Sequence, residues 1–227
     1  MLLARAGANV VLGARRLERT EALARHIGEK ALAVALDVTD EVSVAAAYDA
    51  AEAAFGPVTG VVANAGMGTG GRSTDVALAG LRQVLDTNLL GSYLVAREGA
   101  RRMIASGSGE RHDGRIVLIG SITAEQNHSG DAAYAATKAG LAHLARQFAR
   151  EWIRQGINVN TLQPGWIPSE ANQDWFASPR GKDDIAALHR RRLLAPDALD
   201  DMLLYLLSDR SAQVTGATFT IDDGQSL

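Results

Sequence analysis

Short apolar runs alternate with longer segments of helical periodicity along almost the whole chain. Each run has the length of one β-strand, and the residues that follow have the hydrophobic spacing of a helix. Strands that alternate with helices form a mostly parallel sheet covered on both faces, so the pattern predicts a doubly wound α/β fold. The predicted strands are 9–13, 31–36, 58–63, 116–119, 156–162 and 217–221, and the predicted helices are 16–28, 40–55, 81–106, 133–155 and 196–208.

Composition restricts the classes of protein that the chain can belong to. The 227 residues are 47% hydrophobic and 22% charged, which fits one globular domain over 1–227. A formal net charge of −3 gives no basic field for nucleic acid or anionic lipid, and no apolar run approaches the ~20 residues of a membrane span. Cysteine is absent, which excludes disulfides and is compatible with the reducing cytoplasm, where we expect the protein. The histidines 112, 128, 143 and 189 are too scattered to predict a metal site.

Tyr134 and Lys138 lie four residues apart in a Tyr-Ala-Ala-Thr-Lys segment of a predicted helix. At this spacing the two side chains share one helix face, so the ammonium can lower the pKa of the phenol and can also hold a hydroxyl of a bound molecule. Ser121 follows an apolar strand, and a strand end that faces a helix can place a hydroxyl beside the phenol. Alone, such a Tyr–Lys pair is usually no more than two surface residues, so the interpretation depends on the motifs around it.

Five motifs occur in one order: Asn64-Ala65-Gly66, Asn88, Ser121, the Tyr134–Lys138 pair and Pro164-Gly165. Over the whole chain, this set resembles the single-domain short-chain dehydrogenase/reductase family. The resemblance implies a Rossmann-like fold and hydride transfer between a nicotinamide dinucleotide and a carbonyl compound or secondary alcohol.

The resemblance assigns a role to each member of the catalytic set. It implies that Tyr134 is the general acid/base and that Lys138 supplies the nearby cation and holds the nicotinamide ribose. It implies that Ser121 stabilises the substrate oxygen by a hydrogen bond. The neighbourhood of Asn88 would anchor a water that links Lys138 to solvent, whereas the simpler interpretation of Asn88 is an internally bonded polar residue.

Further cofactor contacts are implied in two groups. The adenosine half would be contacted by Asn64, Ala65, Gly66, Asp37 and Val38. The carboxamide would meet the backbone of Pro164, Gly165 and Ile167. Asn64 to Gly66 could also be only a strand-ending turn, and Asp37 could be only a loop cap.

The end of the first visible strand bears on the choice between NAD and NADP. An acid at the position of Ala14 would bind the ribose hydroxyls of NAD, but Ala14 is followed by Arg15 and Arg16. A guanidinium can bind a 2′-phosphate through two parallel hydrogen bonds, so the sequence favours NADP over NAD. The alternative is a pair of solvated arginines at the start of a helix.

An insertion at about 168–192 is expected to contain helical stretches and to cover the substrate. Trp166, Trp175 and Phe176 either pack this lid or line a pocket for an apolar carbonyl compound. The run Arg190 to Arg192 is interpreted as a solvated face, or as a binding patch for an acidic substrate. Near the end of the chain, Asp222-Asp223-Gly224 departs from the Asp-Gly-Gly that is usual in the family, which puts the local turn in doubt.

The family's first strand and glycine-rich loop have no counterpart before Asn9. The segment Gly66 to Gly71 follows a later strand and lacks the G-x-G-x-x-G spacing, so we interpret it as a loop near the nicotinamide. In the strand order 3-2-1-4-5-6, the first strand is central. We therefore expect a truncated fold, from a late start, a cut chain or a natural short form, with an interrupted sheet and impaired cofactor binding.

The main hypothesis is thus an NADP-preferring oxidoreductase acting on small carbonyl compounds or alcohols. One alternative is a truncated, non-catalytic chain that acts at most as an assembly partner. Another is a reductase of acyl-carrier-protein thioesters, for which Arg190 to Arg192 would be the basic contact. We also expect a homotetramer or homodimer, because Leu141, Leu144, Ala145 and Phe148 are more apolar residues than one buried stripe needs.

Overall fold

The computed structural model of the protein describes residues 1–127, 130–170 and 172–227. His128, one of the scattered histidines, lies outside these ranges. The described strands are β1 (Val10–Ala14), β2 (Ala31–Ala35), β3 (Gly60–Ala63), β4 (Gly114–Ile119), β5 (Ile157–Pro164) and β6 (Thr218–Ile221). The helices are α1 (Leu2–Arg5), α2 (Leu17–Ile27), α3 (Glu41–Phe55), α4 (Leu78–Val84), α5 (Gly91–Ala105), α6 (Ser108–Arg111), α7 (Ala132–Trp152), α8 (Gln173–Ala177), α9 (Pro179–Ala187) and α10 (Asp200–Leu206). This alternation confirms the predicted α/β fold.

The strands form two parallel sheets. β1 pairs with β2, with Val10 opposite Ala31, and the second sheet has the order β3-β4-β5-β6, with Gly114 opposite Ile157. These orders match the two halves of the expected sheet. Within the described residues, no strand pairs with both β1 and β3, so the sheet is interrupted at the expected position.

Two helix ends follow directly from the sequence. The Asp40 carboxylate accepts a hydrogen bond from the backbone N–H of Val42 at 2.9 Å, which caps α3. Gly156 ends the segment after α7 with φ of 72°, and a Cβ there would come within 2.1 Å of the Ser108 carbonyl oxygen. Both the left-handed backbone and the close approach require glycine at this position. The predicted helix 196–208 is shorter, since regular helix covers only α10.

The long helix predicted over 81–106 is present but is not uniform. Between α4 and α5, residues Leu85–Leu90 form a π-helical segment, which places Asn88 on the side that faces the protein interior. Such segments are rare and are frequent at functional sites. In α5, Gly99 lets α3 approach closely, since a Cβ there would lie 2.6 Å from the Tyr48 hydroxyl oxygen.

The larger hydrophobic core lies between the second sheet, α3, α5 and α7. Leu141, Ala145 and Phe148 are buried within this core, and Leu144 packs against it. The apolar residues of α7 that suggested a subunit interface therefore pack in the core of the same chain. This particular argument for an oligomer was wrong. Within the described ranges, no helix is long and apolar enough to cross a bilayer.

Candidate active site

Tyr134 and Lys138 lie in the first two turns of α7, beside the end of β4. The Lys138 side chain is buried, and its ammonium donates a hydrogen bond to the Ile119 carbonyl oxygen at 2.7 Å. The same nitrogen lies 5.4 Å from the centroid of the Tyr134 ring. The helix therefore brings the phenol and the ammonium together, as their spacing indicates.

Ser121 joins this pair from the end of β4. It has an extended backbone and starts a short 3₁₀ turn, Ile122–Ala124. Its hydroxyl oxygen accepts hydrogen bonds from the backbone N–H of Thr123 at 3.2 Å and from the Thr123 hydroxyl at 3.0 Å. The Ser121 side chain is also hydrogen-bonded to the Tyr134 phenol. The three predicted catalytic side chains thus meet at one edge of the sheet.

The pKa values at this centre are governed first by burial. Burial raises the pKa of Tyr134, the hydrogen bond from Ser121 opposes this, and the nearby charge of Asp131 adds to the rise. Burial lowers the pKa of Lys138 to about 8. The net direction for the phenol pKa is therefore upward, with burial as the largest cause, and the expected lowering by the ammonium stays a prediction.

Asn88 is fully buried and binds the main chain of Met67. Its carbonyl oxygen accepts from the Met67 N–H and its amide donates to the Met67 oxygen, both at 2.8 Å. The amide also donates to the Thr137 hydroxyl at 3.1 Å. Asn88 therefore connects the loop after β3 to α7, one residue before Lys138.

The segment Asn64-Ala65-Gly66 follows β3 and is exposed. A Cβ on Gly66 would lie 3.4 Å from the Lys138 ammonium nitrogen and 3.6 Å from the Asn88 carbonyl oxygen. The missing side chain therefore leaves open a space that is bordered by the ammonium and the amide.

Arg15 and Arg16, which were expected to contact the adenosine end of the cofactor, are exposed at the end of β1. Among the residues that the structure describes, neither forms an ion pair. The Asp37 carboxylate accepts from the N–H and hydroxyl of Thr39 at 3.0 and 2.7 Å, and these bonds, with the charge of Arg15, lower its pKa. Val38 lies against Gly91, where a Cβ would meet its methyl carbon at 2.5 Å. Arg15 and Asp37 therefore share one edge of the molecule.

Pro164 ends β5, and the backbone beyond it is held by the last strand and the chain end. The Gly165 N–H donates to the Ile221 oxygen at 2.9 Å, and the Trp166 N–H donates to the Gln225 side-chain oxygen at 2.7 Å. The Ile167 carbonyl accepts from the Asn172 amide at 2.9 Å.

The aromatic residues that follow β5 pack on one another. The ring centroids of Trp166 and Trp175 are 5.7 Å apart, and Phe176 lies 5.9 Å from Trp166 and 5.1 Å from Trp175. These contacts support the interpretation as lid packing, while Trp175 still exposes 42% of its surface.

Two residues near the centre were missed by the sequence analysis. Asp131, one turn before Tyr134, faces the backbone N–H groups of Thr69 and Gly70, and one of its carboxylate oxygens is buried with no partner within the described ranges. Burial raises its pKa. Gln225 lies six residues after Phe219 and reaches back to Trp166. The spacing of three residues between Asp131 and Tyr134 could have predicted that the two side chains are neighbours. No pattern in the sequence around Gln225 predicts its contact with Trp166.

The chain matches the family model described as Enoyl-(Acyl carrier protein) reductase over residues 1–226. It is 37% identical to the inactive 2-(S)-hydroxypropyl-CoM dehydrogenase 2 of Xanthobacter autotrophicus, over 98% of this chain and 96% of that protein. Among solved structures, it is similar to a gluconate 5-dehydrogenase from Burkholderia cenocepacia in complex with NADP and tartrate. The TM-score is 0.91 and the identity 30%, with 99% of this chain and 88% of that chain covered.

A 3-ketoacyl-(acyl-carrier-protein) reductase from Brucella melitensis, complexed with NADH, is similar with a TM-score of 0.90 and 29% identity. The match covers all of this chain and 91% of that chain. The chain belongs to the short-chain dehydrogenase/reductase family of NAD(P)-dependent oxidoreductases.

The described residues fit a nicotinamide dinucleotide at its two ends. Lys138 and the open space at Gly66 suit a ribose hydroxyl, and Arg15 and Asp37 suit the adenosine end. The pyrophosphate would lie at the gap between the strands β1 and β3. At that gap, the described ranges contain no glycine-rich turn followed by a helix N-terminus that could receive it.

Proposed function

We propose that the chain transfers hydride between NADP(H) and a carbonyl compound or the corresponding secondary alcohol. We treat residues 1–227 as a single Rossmann-like domain with a substrate loop at about 168–192. The observation that carries the proposal is the meeting of Ser121, Tyr134 and Lys138, with the phenol hydrogen-bonded to the serine and the ammonium 5.4 Å from the ring.

The bound nicotinamide supplies or accepts the hydride, and the chain controls the proton. In reduction, the Tyr134 phenol donates its proton to the carbonyl oxygen, and its raised pKa keeps it protonated beforehand. Ser121 donates to the same oxygen and stabilises the charge that develops there. In oxidation, Tyr134 accepts the proton, and the Lys138 ammonium favours the resulting phenolate.

Proton exchange with solvent is proposed to pass through the open space at Gly66. Lys138 and the Asn88 carbonyl oxygen border this space, at 3.4 and 3.6 Å from the position that a Cβ of residue 66 would take. The low pKa of Lys138, about 8, suits a group that gives up and recovers a proton near neutral pH.

NADP is proposed over NAD because Arg15 and Arg16 are exposed at the end of β1 without an ion pair within the described ranges. A free guanidinium there can receive a 2′-phosphate, whereas Ala14 stands where an acid would receive the ribose hydroxyls. Asp37, at the end of the neighbouring strand, is engaged with Thr39.

A non-catalytic chain is the second candidate. Two observations favour it: the interruption between β1 and β3, and the 37% identity to a relative that is named inactive. The thioester reductase is less favoured, because Arg190 and Arg192 both pair with Asp223, at 3.0 and 2.8 Å, which leaves Arg191 as the one residue of the run without an ion pair within the described ranges.

A homodimer or homotetramer remains part of the proposal, now supported by different residues. Leu85, Leu90 and Tyr93 expose apolar surface along the helix that runs from α4 to α5. Sedimentation at micromolar concentration tests the assembly, and a monomer would contradict it.

The direct test of the proposed chemistry is Tyr134→Phe, with Tyr93→Phe as the control in which a tyrosine away from the centre is changed. NADPH consumption is measured with cyclohexanone, acetophenone and ethyl acetoacetate, and NADP⁺ reduction with the matching alcohols. We expect Tyr134→Phe to lose at least about 1,000-fold in kcat because the proton donor is gone, and Tyr93→Phe to retain activity. Absence of turnover in the unchanged chain, together with absence of NADPH binding, would favour the non-catalytic candidate.

A further inference from the structure

Gln225 lies in the turn after β6 and is 92% buried, with 8% of its surface exposed. Its side-chain oxygen accepts from the Trp166 N–H at 2.7 Å, and its side-chain amide donates to the Arg192 carbonyl oxygen at 3.3 Å. Its own carbonyl oxygen accepts from the Gln126 side chain at 2.9 Å. One residue near the chain end therefore contacts three separate segments.

One of these segments adjoins the candidate site in sequence, and the other two are the ends of the expected substrate loop. Trp166 begins the substrate loop directly after Pro164 and Gly165, and Arg192 ends it. Gln126 follows the short turn that starts at Ser121. The Leu194 N–H also donates to the Trp166 oxygen at 2.9 Å, so both stems of the loop are joined at its base.

The local sequence is suited to this contact. A Cβ on Gly165 would lie 2.4 Å from the Gln225 side-chain oxygen, so only glycine leaves room for it. The Asp222 carboxylate accepts from the Gly224 and Ser226 N–H groups at 3.0 and 2.8 Å and thereby fixes the turn that presents Gln225. A primary amide is needed, because the two partners are one donor and one acceptor.

Another residue of this turn strengthens the same connection. Asp223 has φ of 54°, a backbone conformation that glycine adopts more readily, and it pairs with Arg190 and Arg192 at the far stem. The two guanidiniums are 65% and 61% exposed, so each pair contributes little alone. The buried amide of Gln225 is thus the contact that fixes the base of the loop.

We propose that Gln225 is a positioning residue that holds the two stems of the substrate loop together and so sets the place of Trp166 and its aromatic neighbours over the site. The proposal that this shapes substrate binding rests on the proposed function. The contact of the amide with Trp166 and Arg192 acts on the loop and does not touch the Ser121, Tyr134 and Lys138 side chains.

We call the contact of Gln225 with Trp166 and Arg192 the clamp. Limited trypsin digestion of the full chain tests this clamp without reference to activity. The loop offers exposed cleavage sites at Arg180, Lys182 and Arg190 to Arg192. Gln225→Met removes both side-chain hydrogen bonds at similar volume, and Gln225→Asn keeps the amide but shortens its reach. Gln213→Met, at an exposed glutamine outside these contacts, is the control.

We expect both Gln225 variants to be cleaved within 168–192 about tenfold faster than the unchanged chain and Gln213→Met, with cleavage in 15–30 unchanged. If Gln225→Met does not fold, Gln225→Asn alone decides. Unchanged loop cleavage, or an equal increase at all sites, would overturn the proposal.

A second measurement connects the clamp to substrate. With the ketone panel, the Gln225 variants should raise KM about tenfold and change kcat by less than about threefold, because the proton-transferring groups stay in place. A fall in kcat with KM unchanged would also overturn the proposal. If the unchanged chain shows no turnover, the proposed function fails while the digestion result still decides whether the clamp exists.

Discussion

Lys138 holds its ammonium nitrogen 5.4 Å from the ring centroid of Tyr134 while it donates a hydrogen bond, at 2.7 Å, to the carbonyl oxygen of Ile119. The same burial acts on both groups in opposite directions, raising the pKa of the phenol and lowering that of the ammonium to about 8. Burial therefore favours the neutral phenol of Tyr134 and the neutral amine of Lys138. A lysine with this pKa can exchange its proton near neutral pH, which an ordinary surface lysine does not do.

The low pKa of Lys138 predicts a specific dependence of stability on pH. Between about pH 8 and 10.5, the unfolded chain binds more protons at this lysine than the folded chain, so the free energy of unfolding rises with pH. Replacement of Lys138 by Met removes this dependence. We expect the stability advantage of Lys138→Met over the unchanged chain to shrink by about 1.5 kcal/mol between pH 8 and 9.5, measured by urea unfolding.

Lys182→Met is the matched control, because Lys182 is exposed on α9. Its difference from the unchanged chain should stay constant over the same pH range. A constant difference for Lys138→Met as well would show that the buried lysine has an ordinary pKa.

Asp131 is predicted to tune the acid/base group. Its negative charge raises the pKa of Tyr134, in addition to the larger effect of burial. Asp131→Asn removes the charge and keeps the shape, so the phenol should lose its proton more readily. For alcohol oxidation, in which Tyr134 accepts a proton, the midpoint of the rate–pH curve should move to lower pH.

Within the described ranges, Ser121 and Lys138 also face the phenol, and both are unchanged in this variant. Asp75→Asn, on the nearby loop, serves as a control for the loss of one negative charge. If the curve of Asp131→Asn keeps its midpoint while its height falls, Asp131 only holds the loop at Thr69 and Gly70.

Much of this fold could be predicted from local sequence patterns. Apolar runs locate every described strand of four or more residues to within a few positions, and Asp40 and Gly156 mark helix ends because their side-chain chemistry acts on adjacent backbone. The proximity of Tyr134 and Lys138, in the candidate catalytic set, could be predicted because the two residues lie on one helix. The π-helical segment at Leu85–Leu90 was not readable, since it depends on how Asn88 reaches Met67 across the fold.

Interactions distant in sequence account for the remaining differences. Arg190 to Arg192 are exposed, as a solvated run is, but Arg190 and Arg192 also meet Asp223, about thirty residues later. The pKa of Tyr134 could not be inferred from its spacing to Lys138, because burial is set by the packing of α7 on the sheet. A local pattern shows which side chains are neighbours, but it does not show how deeply they are buried.

Cofactor preference is predicted to depend on Arg15. The unchanged chain should use NADPH better than NADH, and Arg15→Asp should lower the NADPH-to-NADH ratio of kcat/KM roughly 10- to 100-fold, because a charged hydrogen bond to the 2′-phosphate is lost. Arg25→Asp, an exposed position on α2, is the control. A preference of the unchanged chain for NADH would show that Arg15 and Arg16 are only solvated.

The last prediction concerns the interruption between β1 and β3. Arg15, Asp37 and Lys138 remain available to the two ends of a dinucleotide, but no segment of the described ranges offers the pyrophosphate a glycine-rich turn with a helix N-terminus. We therefore expect this 227-residue chain to bind NADPH with a dissociation constant above about 100 μM by calorimetric titration. A chimera that carries the first strand and glycine-rich turn of the NADP-binding gluconate 5-dehydrogenase ahead of residue 1 should bind at least about tenfold tighter. Micromolar binding by the unchanged chain would mean that another segment takes the pyrophosphate, and that the interruption between the two sheets does not limit cofactor binding.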